Sequence, residues 1–250
     1  MTDPSPGIAA LAASRAEVLA RIAAACGRVG RAPDDVTLVA VSKTVGAERL
    51  RDAVAAGLTL LGENRVQEGA TKAAEVAGAR WHLIGPLQSN KARRALEVYD
   101  AIQSVESVGL AERLDRLARE VRGAGPANRY PVLLQVNVDD DPAKAGFEQQ
   151  ALPDALARLA AYDALEIRGL MTIGRLVASP EAARPTFATL RQVAERLRAG
   201  GARLGPELSM GMTDDFEVAV EEGATIVRVG RALFGDRPHQ HGDGATEHTH

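Results

Sequence analysis

The sequence predicts an α/β protein, a single (β/α)8 barrel of the TIM type with one extra helix at its N-terminus. Short apolar runs alternate with amphipathic helical stretches along most of the chain. Eight such runs occur within about 200 residues, which suits a closed barrel of parallel strands. No glycine-rich turn follows the first run, so the competing architecture, a doubly wound open sheet, is disfavoured.

The predicted elements begin with a helix and continue with strands and helices in turn. Apolar residues recur at helical spacing from Ile8 to about Ala25. The strands are short and rich in β-branched residues, as expected of parallel strands covered on both faces. They begin at Thr37, Leu58, Trp81, Ala101, Val132, Ile167, Glu207 and Thr225. Between them, residues 110–121 and 187–197 carry the clearest helical apolar stripes.

The barrel is expected to occupy residues 8–235 as one domain, because no shift in composition separates a second one. Residues 1–7 are predicted to be a flexible N-terminus. Residues 236–250 are polar and unpatterned, which predicts a disordered tail rather than a metal site, although four of the five histidines lie there. Within the barrel, residues 123–131 and 138–150 are predicted to be its longest loops.

Composition limits the possible partners and compartment. The net charge of -3 gives no bulk attraction to nucleic acid or anionic membranes. No apolar stretch reaches the roughly 20 residues of a membrane helix, and residues 1–7 lack the features of a signal peptide. The single cysteine, Cys26, lies on the apolar side of a helical pattern and is expected to be a buried free thiol. These features favour a cytoplasmic protein with neither nucleic-acid nor membrane partners.

Polar residues and glycines gather where the predicted strands end, which is the end of a barrel that carries chemistry. Lys43 directly follows the apolar run "VAVS". A lysine at one strand end is most often an ordinary surface residue. In a barrel mouth it can balance a phosphate charge, act as a base or form a Schiff base, and the last use needs a lowered lysine pKa. Arg228, on the strand expected beside the first, is a candidate cationic neighbour.

Two later loops have the composition of an anion site. "SMGMTDD" (residues 209–215) and "RVGRALFG" (residues 228–235) each end a strand and begin a helix. Glycine allows close approach of the backbone, and Ser209 or Thr213 can add a hydroxyl. Each loop alone also fits an ordinary turn in which Thr213 or Asp214 caps a helix. Together with Lys43, the loops fit a small ligand that has an aldehyde and a phosphate, namely pyridoxal 5'-phosphate (PLP).

Several segments resemble one family in order and spacing. They are "LVAVSKT", "GENRVQE", "WHLIGPLQSNKAR", "LLQVNV" with "KAGF", "RGLMTI", "LSMGMTDD" and "VRVGRALFG", and they extend from Leu38 to Gly235. The chain resembles the pyridoxal phosphate homeostasis proteins, also called proline synthase co-transcribed homologues. It is similar in fold to the N-terminal barrel of alanine racemase, which implies a PLP barrel of fold type III.

The resemblance implies a role for each matching residue. Lys43 would form the Schiff base, and Arg228 would face the pyridine nitrogen. The remaining cofactor-binding residues would be Val41 and Asn64 beside the ring, and Ser209, Met210, Gly211, Thr213, Gly230 and Arg231 around the phosphate. Many relatives have a small hydroxyl residue in place of Arg231, so only a backbone contact is expected there. No metal ligand and no catalytic residue is implied.

Three functions compete for such a site. A racemase needs a base on each face of the substrate carbon, and the second is commonly a tyrosine. None of the tyrosines, Tyr99, Tyr130 and Tyr162, ends a predicted strand. A Schiff-base aldolase would leave Arg228 and the two loops without a shared ligand. His82, within the third strand, is expected to be a satisfied core or rim histidine rather than a catalyst.

Arg228 also bears on the choice between carrier and enzyme. An arginine cannot accept the pyridinium proton, so the ring nitrogen would stay unprotonated and the cofactor would be a weaker electron sink. The resemblance therefore favours a PLP carrier or buffer in vitamin B6 and amino-acid homeostasis, without robust turnover. A PLP-dependent amino-acid racemase is the alternative. The protein is expected to be a monomer, with apo PLP-dependent enzymes as candidate recipients.

Overall fold

A computed structural model describes residues 5–123, 125–175 and 177–235. The helices are α1 (Pro6–Arg28), α2 (Ala47–Ala55), α3 (Val66–Glu75), α4 (Ala92–Val98), α5 (Val108–Arg122), α6 (Leu152–Leu159), α7 (Arg184–Ala199), α8 (Phe216–Glu221) and α9 (Arg231–Phe234). The strands are β1 (Thr37–Val41), β2 (Leu60–Glu63), β3 (Arg80–Leu83), β4 (Ala101–Val105), β5 (Tyr130–Asn137), β6 (Phe147–Glu148), β7 (Leu165–Met171), β8 (Glu207–Ser209) and β9 (Ile226–Val229). Short 3-10 turns begin at Pro33, Ser89, Pro126, Gln149 and Pro180.

Eight of these strands form the predicted closed barrel. All pairings are parallel, and the order is β4-β3-β2-β1-β9-β8-β7-β5, with β5 pairing back to β4. The first and last strands are therefore neighbours, as predicted: Val39 lies opposite Arg228 and Ala40 opposite Val229. This pairing brings the loop after β1 next to the loop after β9, although they come from opposite ends of the sequence.

The extra strand β6 was not predicted, because residues 138–150 have the composition of a loop. It extends the sheet beside the end of β5, with Phe147 opposite Val136. Gly146 makes the turn into β6 with a φ of 136°, and a Cβ there would lie 2.7 Å from the backbone nitrogen of Asn137. Glycine is needed at this position because the backbones approach so closely.

The N-terminal helix is longer than its apolar pattern indicates. It begins at Pro6, where the side chain of Ser5 accepts a hydrogen bond from the N–H of Ile8. Proline is well placed in a first helical turn because its missing N–H has no helical partner there. Cys26, near the end of α1, is a buried free thiol as predicted, and burial raises its pKa. Residues 1–4 and 236–250 of the two predicted tails lie outside the described residues.

The core has two parts. The larger part packs the helices against the outer face of the barrel, for instance through Leu114 of α5 and Leu190 of α7. The smaller part comes from five strands only and fills the barrel interior with Val39, Leu60, Leu133, Met171 and Ile226. Along β9, Arg228 follows Ile226 by two residues and so points to the same interior, closer to the carboxyl ends of the strands.

None of the helices in the described ranges is long and apolar enough to cross a membrane. No group of three or more potential metal-ligating side chains occurs in the same ranges.

Candidate functional site

A cavity of about 450 Å³ opens at the carboxyl ends of β1 and β9. Its volume lies within the range of small-ligand pockets in proteins. Six of the ten predicted cofactor-binding residues line it: Val41, Lys43, Thr213, Arg228, Gly230 and Arg231. A larger groove of about 610 Å³ lies between α6 and α7 on the outer surface, away from these strand ends.

Lys43 reaches the cavity because of the alternation along β1. Val39 and Val41 face the barrel interior, and Lys43 continues that face two residues later, at the mouth. Ser42 points the other way and is fully buried. The residue after the lysine, Thr44, has a φ of 67°, a conformation that β-branched residues seldom adopt.

Arg228 forms the floor of the cavity and is held from two sides. Its guanidinium donates to Ser209 Oγ at 2.6 Å and to the carbonyl oxygen of Thr172 at 2.8 Å. The side chain is buried, and burial lowers its pKa to about 10, with the charge of Asp215 acting in the opposite direction. Arg228 therefore stays charged at neutral pH.

A chain of hydrogen bonds continues from Arg228 across the barrel. The hydroxyl of Ser209 donates to Gln103 Oε1 at 2.6 Å, and Gln103 Nε2 donates to His82 Nδ1 at 2.8 Å. Burial lowers the pKa of His82 to about 4, so its imidazole is neutral at physiological pH. Because Nδ1 accepts a hydrogen bond, we assign the ring proton to Nε2.

Sequence reasoning missed Gln103 altogether. Its one signal was a long polar side chain within the otherwise apolar strand "AIQSV". The structure shows that this side chain is fully buried and hydrogen-bonded at both ends of its amide. His82 has a hydrogen-bonding partner, which fits the prediction of a satisfied histidine.

The two predicted anion loops meet at the cavity. The N–H of Gly230 donates to Thr213 Oγ1 at 3.3 Å, so a hydroxyl and a backbone amide converge there. A Cβ at Gly230 would lie 3.4 Å from Val41 Cβ and would take up space at the cavity wall. Arg231 forms an ion pair with Asp214, and both side chains are exposed. The charge of Arg231 is thus turned toward the surface.

The loop after β8 differs in detail from the expected cap. Helix α8 has Asp215 at its N-cap position rather than Thr213 or Asp214. The Asp215 side chain accepts a hydrogen bond from the N–H of Met212 at 2.6 Å and thereby closes the turn. The pKa of Asp215 is raised by burial, although this hydrogen bond acts to lower it. Thr213 is therefore not used as a helix cap.

Four predicted residues lie next to the cavity rather than on its wall. Asn64 lines a neighbouring pocket of about 530 Å³, and Ser209 lies beneath the floor, bonded to Arg228. The N–H of Met210 donates to the carbonyl of Ile226, and the carbonyl of Gly211 accepts from the N–H of Arg228. The cofactor contacts of these four residues stay predictions.

A buried charge cluster, formed by Lys72, Glu63 and Glu68, lies behind the end of β1. We call it the Lys72 cluster. Lys72 Nζ lies 2.6 Å from a carboxylate oxygen of each glutamate. The pKa of Glu63 is raised by burial, against the hydrogen bonds from Lys72 and Ser42. Burial also acts to raise the pKa of Glu68, but the hydrogen bonds from Lys72 and the N–H of Thr44 lower it overall.

The hydroxyls of Tyr99 and Tyr130 are bonded to backbone carbonyl oxygens. Tyr99 precedes β4 and donates to the carbonyl of Arg65 at 3.1 Å, while Tyr130 begins β5 and donates to the carbonyl of Tyr99 at 2.6 Å. Burial raises the pKa of both phenols. Tyr162 precedes β7. The described wall of the cavity therefore contains no tyrosine.

Comparison with known proteins identifies the family. A family model described as the alanine racemase N-terminal domain matches residues 17–238. A pyridoxal phosphate homeostasis protein of Pseudomonas aeruginosa is 43% identical over 231 residues, covering 91% of this chain and 96% of that protein. The chain belongs to the pyridoxal phosphate homeostasis protein family. A family member from Escherichia coli is 39% identical over 240 residues, with coverages of 91% and 97%.

A solved structure from the same family has the same fold. PipY of Synechococcus elongatus, determined with PLP bound, is 43% identical and superimposes with a TM-score of 0.73. The comparison covers 86% of this chain and all of the PipY chain. At this identity and TM-score, the chain and PipY share the same barrel architecture.

Proposed function

We propose that this protein binds PLP through a Schiff base on Lys43 and carries or buffers the cofactor without robust catalytic turnover. The observation that carries the proposal is that Lys43, the buried Arg228 and the Thr213–Gly230 contact line one cavity of about 450 Å³. PLP would supply an aldehyde that condenses with a primary amine, so that a C=N bond replaces C=O and water is released. The PLP-bound PipY relative supports the choice of ligand.

The residues present fit the three parts of this ligand. Lys43 supplies the primary amine, and Arg228, which lines the same cavity, would be the cationic neighbour that favours the neutral amine needed for a Schiff base. The Thr213 hydroxyl, which accepts from the N–H of Gly230, and the N–H of Arg231 would be donors suited to a phosphate. Val41 and Asn64 would lie beside the ring, and Ser209, Met210 and Gly211 would support the phosphate loop from below.

Arg228 would determine the protonation state of the ring nitrogen of PLP. Two of its N–H groups are already used by Ser209 and Thr172, and the rest of its five donors remain for the cavity that it lines. An arginine can only donate at this position, so the ring nitrogen would accept a hydrogen bond and stay unprotonated. That arrangement weakens the ring as an electron sink and favours storage over chemistry at the α-carbon of an amino acid.

The carrier function is preferred over the racemase because the described cavity wall contains no tyrosine to act as a second base. The names of the relatives, homeostasis proteins rather than enzymes, support the same choice. We further propose a monomer that acts in the cytoplasm, where apo PLP-dependent enzymes would receive the cofactor. The unpaired, buried Cys26 supports a reducing compartment.

Borohydride trapping tests the proposal directly. Reduction of the PLP-loaded protein should leave a pyridoxyl group on the peptide that contains Lys43, and Lys43→Ala should abolish both the label and the visible Schiff-base band. Lys91→Ala is the matched control, because Lys91 lines the neighbouring pocket and should be dispensable. Recovery of the label on Lys91 or Lys144 in the wild-type protein would contradict the assignment.

A further inference from the structure

The Lys72 cluster is built around one buried ammonium group with three partners. Lys72 Nζ donates to the carbonyl oxygen of Ser42 at 2.8 Å, to Glu63 Oε1 at 2.6 Å and to Glu68 Oε1 at 2.6 Å. Lys72 is only 8% exposed and Glu63 is fully buried. The three donors of an ammonium group are thereby matched to three acceptors.

The cluster holds the chain on both sides of Lys43. On the N-terminal side, Ser42 accepts from Lys72 through its carbonyl and donates through its hydroxyl to Glu63 Oε1 at 2.7 Å. On the C-terminal side, the N–H of Thr44 donates to Glu68 Oε1 at 3.0 Å. The two residues that flank Lys43 are thus both held by the Lys72 cluster, Ser42 by Lys72 and Glu63 and Thr44 by Glu68.

The backbone at Thr44 shows why a holding contact is needed. Its φ of 67° is unfavourable for a β-branched residue, and such a conformation persists only when surrounding contacts fix it. The hydrogen bond to Glu68 is one such contact. Without it, Thr44 would relax toward an ordinary conformation and change the direction in which the neighbouring Lys43 side chain leaves the backbone.

The buried charges are also more consistent with positioning than with stability alone. Removing the Lys72 ammonium and the Glu63 carboxylate from water is costly, and apolar side chains of similar size often stabilise a protein as well or better. An ionic cluster has one advantage over apolar packing, because its directional hydrogen bonds fix the orientation of the groups bound to it. Here the fixed groups are the two peptide units next to Lys43.

We propose that Lys72, with Glu63 and Glu68, positions Lys43 for bond formation with an aldehyde ligand. These are positioning residues, since they act through Ser42 and Thr44 and do not line the wall of the cavity at Lys43. The inference rests on the proposed function, because it presumes that Lys43 forms the Schiff base. It goes beyond that function by assigning a role to a cluster on α3 and at the end of β2.

The test separates bond formation from binding. Glu68→Leu removes the acceptor for Thr44, whereas Glu68→Gln keeps an amide oxygen that can accept the same hydrogen bond. Two quantities are measured for each variant. One is the rate at which the visible Schiff-base band appears after mixing with PLP. The other is the affinity for pyridoxine 5'-phosphate, an alcohol that cannot form the bond.

We expect Glu68→Leu to slow Schiff-base formation roughly 10- to 100-fold, as misplaced reacting groups do, with the affinity for the alcohol within about twofold of wild type. Glu68→Gln should recover most of the rate. Lys72→Met should repeat the Glu68→Leu pattern. The Glu68 pair suffices if Lys72→Met does not fold, because the Glu68 side chain is 31% exposed and its loss leaves the pair of Lys72 with Glu63 intact.

An unchanged rate in Glu68→Leu would overturn the inference, and so would equal losses in rate and in affinity for the alcohol, which indicate a merely structural role. The proposed function is tested separately by the wild-type protein. If borohydride leaves no pyridoxyl group on wild-type Lys43, the proposed function fails together with the inference. If wild-type Lys43 is labelled but the variants form the Schiff base at the wild-type rate, the inference fails and the proposed function stands.

Discussion

His82 is the last acceptor in the series of hydrogen bonds that begins at Arg228, and each residue in the series donates to the next. Arg228 donates to Ser209, Ser209 to Gln103, and Gln103 to His82 Nδ1. A protonated imidazole carries hydrogen on both nitrogens and could not accept the last bond. The arrangement therefore requires a neutral His82, and burial lowers the pKa of His82 from 6.5 to about 4 accordingly.

This shift predicts a pH dependence of stability. Between pH 6.5 and about 4 the unfolded chain binds a proton at His82 that the folded chain does not, so the free energy of unfolding should fall as the pH falls through that window. The contribution is up to roughly 3 kcal/mol, at about 1.36 kcal/mol per pKa unit. Urea unfolding at both ends of the window measures it.

His82→Asn is the matched variant for this measurement, because asparagine can accept from Gln103 but does not titrate. Its free energy of unfolding should fall less steeply with acid than that of the wild type, since the carboxylates titrate in both proteins. Parallel pH profiles for the two proteins would mean that His82 is protonated as readily in the folded state as in the unfolded one.

Single residues could be predicted from the sequence where a strand end and a motif coincided. Lys43, Thr213, Arg228 and Gly230 were found this way, and the structure brings them to one cavity. Lys72 was not found, because a lysine within the helix "VQEGATKAAE" has the pattern of a solvated helix face. Two of its three partners, Glu63 at the end of β2 and Ser42 after β1, lie outside α3, and only the packing of α3 against these strand ends shows that the ammonium is buried.

At the scale of elements, two glycines in the βα loops have different tasks. Gly211 has a φ of 89°, and a Cβ there would lie 2.5 Å from Ala219 Cβ and 2.9 Å from Phe216 Cα. It is needed so that β8 can turn into α8. Gly230 has a φ of -119°, which any residue can adopt, and its Cβ would make close but tolerable contact with Val41.

Alanine at these two positions should therefore give opposite results. Gly211→Ala should lower the free energy of unfolding by about 2 kcal/mol or more, because it adds both backbone strain and overlap with α8. Gly230→Ala should leave stability nearly unchanged and weaken PLP binding, since the methyl group takes space beside the proposed phosphate site. Thermal unfolding of the apo proteins and PLP titration distinguish the two effects. Equal PLP affinity in Gly230→Ala and wild type would place the phosphate elsewhere.

Elements were predictable where their hydrophobic pattern was long or repeated. All eight barrel strands lie where apolar runs predicted them. Each strand is buried on both faces, between the barrel interior and the surrounding helices, and therefore consists mostly of apolar residues. Strand β6 could not be predicted, since two residues carry no pattern, and its pairing depends on how close Gly146 comes to β5. Element length was also underestimated at α1, where Ser5 and Pro6 begin the helix before its apolar stripe does.

For the whole molecule, the distribution of exposed apolar groups predicts a monomer. The large apolar side chains exposed in the described ranges are Val29, which follows α1, and Ile173 and Met212, which follow the paired strands β7 and β8. A few exposed groups of this kind are normal on monomeric proteins. Sedimentation of the full chain at micromolar concentration should give a single species near 26.3 kDa. A dimer that Ala157→Glu dissociates would contradict this and identify the groove between α6 and α7, which Ala157 lines, as its interface.

The choice between carrier and racemase also belongs to the whole molecule, because a second base could come only from another part of the chain or from another copy. The Tyr99 and Tyr130 hydroxyls are bonded to backbone carbonyls, no tyrosine lines the described cavity wall, and in the proposed site Arg228 would disfavour a protonated ring nitrogen. Transfer of the proposed Schiff base from Lys43 to a free amino acid needs neither a second base nor a protonated ring nitrogen. Added alanine or serine should therefore perturb the visible band of the PLP-loaded protein.

Removal of the α-hydrogen needs both a placed base and an electron sink, and positioned acid–base groups contribute about 10²–10⁴-fold to such steps. We therefore expect exchange of the α-hydrogen of alanine in deuterated water, followed by NMR, to be far slower than enzyme turnover, which is on the order of 1–10³ per second. Lys43→Ala gives the background. Exchange at enzyme rates would favour the racemase, and a rate per protein that rises with protein concentration would show that a second copy supplies the missing base.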